Sequence, residues 1–248
     1  MSALIDTTRP FTPPPLDGVK DDFTSQLLAK RAGLKFEVET RYFIEQWTRA
    51  ARNGLMAMVP IEEVESEFLK GAQLGLSFDP DKMQAFCISH WDEDNGYSRP
   101  RFYLGYKGML HLVQQDKNIV MTNTQLIYEN DTFIDKGPNQ IPEHQRVINP
   151  NQRGLIVGGY AYSILAKSHI AICTIVDTDV MQEIENNARS NGSQAWNSPF
   201  INEMRKKTIT RRHFNDLLSV LDLNAKLEES NILEPTGFDL EYATHGRN

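Results

Sequence analysis

GLIVGGYAYSILAKSHIAICTIVD occupies residues 154–177 of the chain. It holds two apolar runs, 154–166 and 169–177, both rich in β-branched or aromatic residues and separated by the polar pair Lys167-Ser168. Short runs of this composition predict two β-strands. The centre of the fold is therefore expected to be a β-sheet, and the segments on either side decide its class.

Two upstream segments also predict strands. Residues 82–106 contain two extended runs joined by a polar turn with Asn95-Gly96, a pair that favours tight hairpins. Residues 119–128, IVMTNTQLIY, form a further strand-like run. Between them, residues 107–115 have the spacing of a short helix.

Helices are predicted on both sides of these strands. Two precede them, around residues 37–52 and 61–76, where apolar residues recur at helical spacing. One follows at residues 179–190, with Asp177 or Thr178 as its N-terminal cap. The order of helices, strands and helices predicts an α+β fold in which helices pack against a mostly antiparallel β-sheet.

The ends of the chain differ in composition from the middle. Residues 1–20 are proline-rich with few large apolar side chains, which predicts a flexible arm. Residues 223–248 carry more acids than bases and predict a weakly ordered acidic tail. Residues 21–222 are left as one folded core.

Bulk composition limits the classes of function. The chain has 248 residues with 26 Lys+Arg against 33 Asp+Glu, so any polyanion must be bound by a local patch. No apolar run reaches membrane-spanning length, and no export signal is recognisable, so a cytoplasmic protein is expected. Cys87 and Cys173 lie in apolar runs, which favours buried thiols over zinc ligation with His90 and His169.

One segment is strongly cationic in this acidic chain. EMRKKTITRRHF, residues 203–214, contains one acid, five Lys or Arg side chains and His213, and a helix of 3.6 residues per turn distributes the cations around its axis. A solvated surface helix is the commoner outcome for a charge run, whereas the local asymmetry favours a helix that binds phosphates. By charge, the candidate phosphate-binding residues are Arg205, Lys206, Lys207, Arg211 and Arg212, together with Arg101 in a second cationic run.

Aromatic side chains lie near this segment and near a second cationic run. Trp196 and Phe200 precede the basic segment, while Tyr103 and Tyr106 lie beside Arg101 in RFYLGYKG. Cations that follow a backbone and rings that stack on bases are what single-stranded nucleic acid requires. Each ring considered alone is more often a core residue. The combination predicts single-stranded nucleic acid as the ligand.

The sequence offers little support for an enzyme. It lacks the G-x-x-x-x-G-K-[ST] loop of nucleotide-driven proteins. The carboxylates of residues 90–97 and 128–133 resemble metal ligands of nucleases, but a turn and a strand end are positions where acids are simply solvated. A metal-dependent DNA-processing nuclease is the alternative from another class, and a non-annealing single-strand binder is the second alternative.

Four segments, taken in order, resemble the RecT family of phage and prophage single-strand DNA annealing proteins. They are AQLGL at 72–76, GYKGMLHLV at 105–113, IYENDTF at 127–133, and Trp196 followed by EMRKKTITRR at 203–212. The last is the most specific. The resemblance implies ATP-independent binding and annealing of single-stranded DNA in phage-type homologous recombination, by a protein that is not an enzyme.

The resemblance also assigns residues and a core. It places Lys207, Arg211 and Arg212 in a DNA groove, with Tyr106 and Lys107 near it. The implied core is a β-sheet backed by a long helix, similar to that of the eukaryotic homologous annealing protein.

Partners follow from the same resemblance. They are single-stranded DNA, the annealed duplex intermediate, other copies of the chain in a ring or helical filament, a 5′-to-3′ exonuclease, and a host single-strand-binding protein. No membrane partner and no cofactor are expected, and Mg²⁺ is expected only to modulate annealing. The implied location is the cytoplasm of a bacterial host.

Overall fold

The fold is known from a computed structural model, and the chain divides into two compact units. The first unit ends at Tyr103 and the second begins at Leu104. The structure describes residues 14–51, 59–92, 96–190, 196, 199–218 and 221.

The first unit is mainly helical and ends in a two-stranded sheet. Its long helices α3 and α4 and the strands β1 and β2 confirm the sequence predictions for these segments. The shorter helices α1 and α2 were not predicted, because five or six residues are too few to display helical periodicity. The elements are a 3₁₀ turn at Asp17–Val19, α1 at Lys20–Ser25, α2 at Leu27–Arg31, α3 at Phe36–Ala51, α4 at Ile61–Leu74, β1 at Ala85–Asp92 and β2 at Tyr97–Leu104.

A glycine ends helix α4. Gly75 has φ of 67°, in the left-handed region, and its amide donates to the carbonyl oxygen of Ala72. A Cβ atom at this position would lie 2.9 Å from the carbonyl oxygen of Leu28. Both the backbone conformation and the close approach of α2 therefore require glycine here.

Aromatic rings form the core of the first unit. The buried rings of Phe23, Phe36, Phe43, Phe68 and Phe78 contact one another with centroid separations between 5.0 and 5.9 Å. Edge-to-face and stacked pairs at these distances add to the free energy of burial. The cluster joins α1, α3 and α4 to the residues that precede β1.

Part of the segment that was expected to be a flexible arm is packed. Leu16 and Val19 are buried, because these two apolar side chains join the first unit. Residues 1–13 of the arm, and all of the acidic tail at residues 223–248, lie outside the described residues.

The second unit holds a three-stranded antiparallel sheet with strand order β3-β6-β7, backed by the long helix α7. This arrangement confirms the α+β prediction. The short strands β4 and β5 form a separate pair that was not predicted, because three residues are too few to show alternation. The elements are α5 at Tyr106–Gln115, β3 at Ile119–Tyr128, β4 at Thr132–Ile134, β5 at Glu143–Gln145, a 3₁₀ turn at Pro150–Gln152, β6 at Ile156–Leu165, β7 at Ala171–Asp177, α6 at Thr178–Ser190 and α7 at Ile201–Leu218.

Helix α7 packs closely against one face of this sheet. A Cβ atom on Gly159 would lie 2.3 Å from Cδ1 of Ile209 and 2.8 Å from the carbonyl oxygen of Gln125. Glycine at this position therefore sets how near the helix approaches the strands. The apolar cluster here is Leu126, Ala161, Val176, Met181 and Ile209.

The β4-β5 pair covers the opposite face of the sheet. Tyr160 follows Gly159, so its side chain points away from α7. The rings of Phe133 on β4 and His144 on β5 lie 5.3 and 5.6 Å from the Tyr160 ring. The two faces of the sheet are thus covered by different elements: a helix packs on one face and a short strand pair on the other.

A buried carboxylate anchors the chain around this strand pair. The Asp131 side chain is fully buried and accepts from Arg153 Nε at 3.1 Å and from the Val147 amide at 2.9 Å, with His144 Nε2 at 3.0 Å. The Arg153 guanidinium also lies 3.7 Å from the centroid of the Tyr128 ring. Burial opposes ionisation of Asp131, but these hydrogen bonds outweigh it and lower the pKa of the carboxyl below its usual value. The expectation that the acids of this segment are solvated is therefore wrong for Asp131.

Candidate nucleic-acid interface

Helix α7 contains the whole basic segment, and its two halves differ in burial. Glu203 lies in the first turn, where a negative charge complements the positive end of the helix. The sequence showed no clean apolar stripe because α7 packs on α5 as well as on the sheet and because some of its buried side chains are polar. The buried residues are Ile209, Thr210, Arg211, His213, Phe214, Leu217 and Leu218.

Arg205 is held in an ion pair between α6 and α7. Its Nη2 donates to Glu185 Oε2 at 3.0 Å, and its side chain is 21% exposed. The same carboxylate accepts from Arg189 Nη2 at 2.5 Å, and Arg189 also donates to the carbonyl oxygen of Trp196 at 3.1 Å. Arg205 therefore joins two helices, a role that its position in a charge run did not indicate.

The other four cations of α7 differ in accessibility. Lys206 Nζ lies 3.0 Å from Glu203 Oε1 in an exposed pair, which contributes little to stability and which a phosphate can displace. Arg212 is exposed and makes no ion pair within the part of the chain that the structure describes. Lys207 is half-buried, and Arg211 is only 8% exposed.

The first turn of α5 lies beside the first half of α7. The two helices pack together, and Tyr106 is near enough to Glu203 that burial and then the negative charge of Glu203 raise the pKa of the tyrosine hydroxyl. Lys107 follows in the same turn and is half-buried. The structure thus brings Tyr106 and Lys107, which the family resemblance grouped with the basic segment, to the same end of α7.

The aromatic candidates are less accessible than the sequence suggested. Tyr103 is 4% exposed and Trp196 is 3% exposed, so neither ring has a free face for base stacking in this conformation. Phe200, directly before α7, is 69% exposed. Arg101 is half-buried on β2 and lies in the first unit, as does Tyr103, whereas the other candidates lie in the second.

His213 belongs to the contact with the sheet and is not one of the exposed cations. It is 1% exposed, with Nε2 lying 2.8 Å from Ser163 Oγ and Nδ1 lying 2.9 Å from Thr174 Oγ1. Burial lowers the pKa of the imidazole to about 4, although the charge of Asp216 opposes the shift. His213 is therefore neutral near pH 7, and the sequence alone overcounted the positive charge of the segment.

The two cysteines are free thiols. Cys87 is buried and Cys173 is partly buried. Burial raises the pKa of both thiols, that of Cys173 to about 11, so neither is a reactive thiolate near neutral pH. Among the residues that the structure describes, no group of three or more His, Cys, Asp or Glu side chains is placed to hold a metal ion.

An antiparallel sheet backed by a helix that presents Lys206, Lys207 and Arg212 at exposed or half-buried positions is typical of a polyanion-binding α+β protein. The RecT family model matches residues 42–230, and the chain belongs to the RecT family. Members of this family bind single-stranded DNA, self-associate, and act in phage-type single-strand annealing recombination. A comparison with curated proteins found no match. None of the helices that the structure describes combines the length and apolar character needed to cross a membrane.

Proposed function

We propose that this chain holds single-stranded DNA along α7 and pairs it with a complementary strand without ATP. It acts as an annealing protein and not as an enzyme. No cofactor takes part, and Mg²⁺ affects only how strongly the two DNA backbones repel each other. The setting is recombination in the cytoplasm of a bacterial host.

Annealing requires no fuel because duplex formation is itself favourable. Each base-pair step returns about 1.4 kcal/mol of stacking free energy. The obstacles are repulsion between two polyanions and folding of each strand on itself. A protein that neutralises one backbone and holds it extended, with the base edges accessible, removes both obstacles.

One observation carries the proposal: α7 and the first turn of α5, which pack together, carry several cations and a tyrosine. Lys206, Lys207, Arg212 and Lys107 supply charge to phosphates, and Tyr106 supplies a ring beside them. The acidic character of the remaining chain supports the same function, because it disfavours binding of DNA elsewhere on the surface.

The other candidates take different parts in the proposal. Arg205 joins α7 to α6 through its ion pair with Glu185, and the buried Arg211 contributes positive potential from within the protein. Arg101, which lies in the first unit, is proposed as a phosphate contact in its own right. Tyr103 and Trp196 act through packing unless DNA binding exposes their rings.

Assembly and partners complete the proposal. Copies of the chain form a ring or helical filament that keeps one strand extended and holds the annealed duplex intermediate. A 5′-to-3′ exonuclease supplies the single strand, and a host single-strand-binding protein is a further partner.

The test mixes two complementary, dye-labelled oligonucleotides with the purified protein and follows duplex formation without ATP, in the presence and absence of Mg²⁺. Faster pairing than in buffer, with strands that stay intact on a denaturing gel, supports annealing. Slower pairing indicates a protective single-strand binder. Strand shortening that requires Mg²⁺ indicates a nuclease.

A further inference from the structure

A chain of hydrogen bonds runs across the sheet beneath α7. Thr122 Oγ1 on β3 lies 2.6 Å from Ser163 Oγ on β6, and Ser163 Oγ lies 2.8 Å from Nε2 of His213 on α7. His213 Nδ1 lies 2.9 Å from Thr174 Oγ1 on β7, and Thr174 in turn bonds to the Asp216 carboxylate on α7. We call these five residues the polar chain. Its residues lie on all three strands and at two positions of α7.

The acid at one end fixes the direction of every hydrogen bond. The exposed Asp216 carboxylate only accepts, so Thr174 donates its hydroxyl proton to it and accepts from Nδ1–H of His213. A neutral imidazole protonated at Nδ1 has a bare Nε2, which accepts from Ser163. Because Ser163 donates its only hydroxyl proton to His213, it accepts a hydrogen bond from Thr122.

Directed hydrogen bonds restrict a helix more than apolar contacts do. A helix that packs only on aliphatic side chains can rotate slightly with little change in free energy. A buried polar group that loses its hydrogen-bond partner, in contrast, loses the full free energy of its desolvation. His213 and Asp216 are one turn apart, and Thr210, one turn earlier, lies 3.1 Å from Thr124 across the same contact. Three successive turns of α7 are thus bonded to fixed hydroxyls of the sheet.

We propose that the polar chain, with His213 at its centre, positions the DNA-binding helix by fixing the rotation of α7 so that Arg212 faces solvent. This inference rests on the proposed binding of single-stranded DNA by α7. Because His213 is 1% exposed, it acts on DNA only through the helix and not by contact. A small rotation would turn the neighbouring Arg212 toward the protein and take its guanidinium out of reach of a phosphate.

The matched test uses Thr174, which lies on β7 and not on the helix. Thr174→Val keeps the shape but removes the hydroxyl that links His213 to Asp216, while Thr174→Ser keeps the hydroxyl. Affinity of the full chain for a labelled, unstructured oligonucleotide is measured by fluorescence anisotropy at fixed salt. Thr174→Val is expected to weaken binding roughly three- to tenfold, and Thr174→Ser to stay within about twofold of the unaltered protein.

A double-mutant cycle separates positioning from simple stability. If the polar chain acts by orienting Arg212, then Arg212→Ala weakens binding less in the Thr174→Val protein than in the unaltered one. Additive losses overturn the inference. So does a Thr174→Val protein that melts at a lower temperature but binds DNA with unchanged affinity while folded. If Arg212→Ala alone leaves affinity unchanged, the proposed phosphate contact fails instead.

Discussion

The carboxylate of Glu185 on α6 holds Arg205 of α7 across 3.0 Å and also accepts from Arg189. The basic segment therefore contains a cation whose charge is already balanced inside the protein. The sequence alone does not distinguish the five cations of this segment from one another. In the folded chain they divide into those that hold α7 in place and those that face solvent, and this division determines what each substitution should do.

The salt dependence of DNA binding should separate Arg212 from Arg205. Removing a single cation that binds a phosphate of single-stranded DNA lowers the slope of log K against log salt by about 0.7. Arg212→Ala is expected to show this change, and Arg205→Ala a smaller one, because its charge is balanced by Glu185. The measurement is an anisotropy titration repeated at several salt concentrations.

Lys136→Ala is the control for this comparison. Lys136 forms an exposed pair with Glu143, beside the short strands that cover the sheet face opposite α7. Its removal should leave the slope unchanged. Equal changes for Arg212→Ala and Arg205→Ala would contradict the division between the two arginines.

Arg211 and Arg212 should differ in their effect on stability. Arg211 is 8% exposed, so Arg211→Ala is expected to lower the free energy of unfolding by about 1–3 kcal/mol, as substitutions of buried groups do. The exposed Arg212 should change it by no more than about 0.5 kcal/mol when replaced by alanine. Urea unfolding followed by circular dichroism gives both values. An Arg211→Ala protein that is as stable as the unaltered protein but binds DNA more weakly would indicate that Arg211 contacts a phosphate.

Asp131→Asn should be among the most destabilising conservative changes in the second unit. The substitution removes the charge that Arg153 needs and leaves that guanidinium partly buried, which costs on the order of 3–5 kcal/mol. Glu129→Gln is the matched control, because Glu129 lies two residues away and is exposed. Thermal unfolding of the two variants checks the prediction, and similar melting temperatures would contradict it.

Stability should fall as the pH drops from about 6.5 toward 4. His213 has its pKa lowered to about 4 by burial, while an unfolded histidine titrates near 6.5. Between these values the unfolded chain binds the extra proton, so acid favours unfolding by up to about 1.4 kcal/mol per pH unit.

His213→Gln should flatten the pH dependence in this window. Glu39 contributes with the opposite sign, because burial raises its pKa, but it is present in both proteins and cancels in the comparison. The prediction is checked by measuring the melting temperatures of the unaltered protein and of His213→Gln at pH 7, 6 and 5. Parallel curves for the two proteins would mean that His213 is not the group that titrates.

The long elements could be predicted from sequence because their signals are local and repeated. The run of β-branched and aromatic residues in β6 and the helical spacing in α3 extend over ten or more residues. The cap of α6 was also predictable, since Asp177 accepts from the amide of Val180 only three residues later. Elements of three to six residues, such as β4 and α1, carry no such repeat.

The partners of the charged side chains could not be predicted in the same way. Arg205 meets Glu185 across 20 residues of sequence, and Arg153 meets Asp131 across 22. No local pattern links either pair, because folding alone brings them together. Segment 127–133 was singled out by its family resemblance, but only the structure shows that its aspartate is buried.

The buried Asp131 cluster has a practical consequence for handling the protein. Dissolved ions screen exposed charges within about 8–10 Å at moderate ionic strength, but they screen buried pairs far less. The Asp131 side chain has no solvent exposure, whereas Lys206 and Arg212 face solvent. A concentrated salt wash during purification should therefore strip bound nucleic acid from α7 while the sheet and its strand pair stay folded.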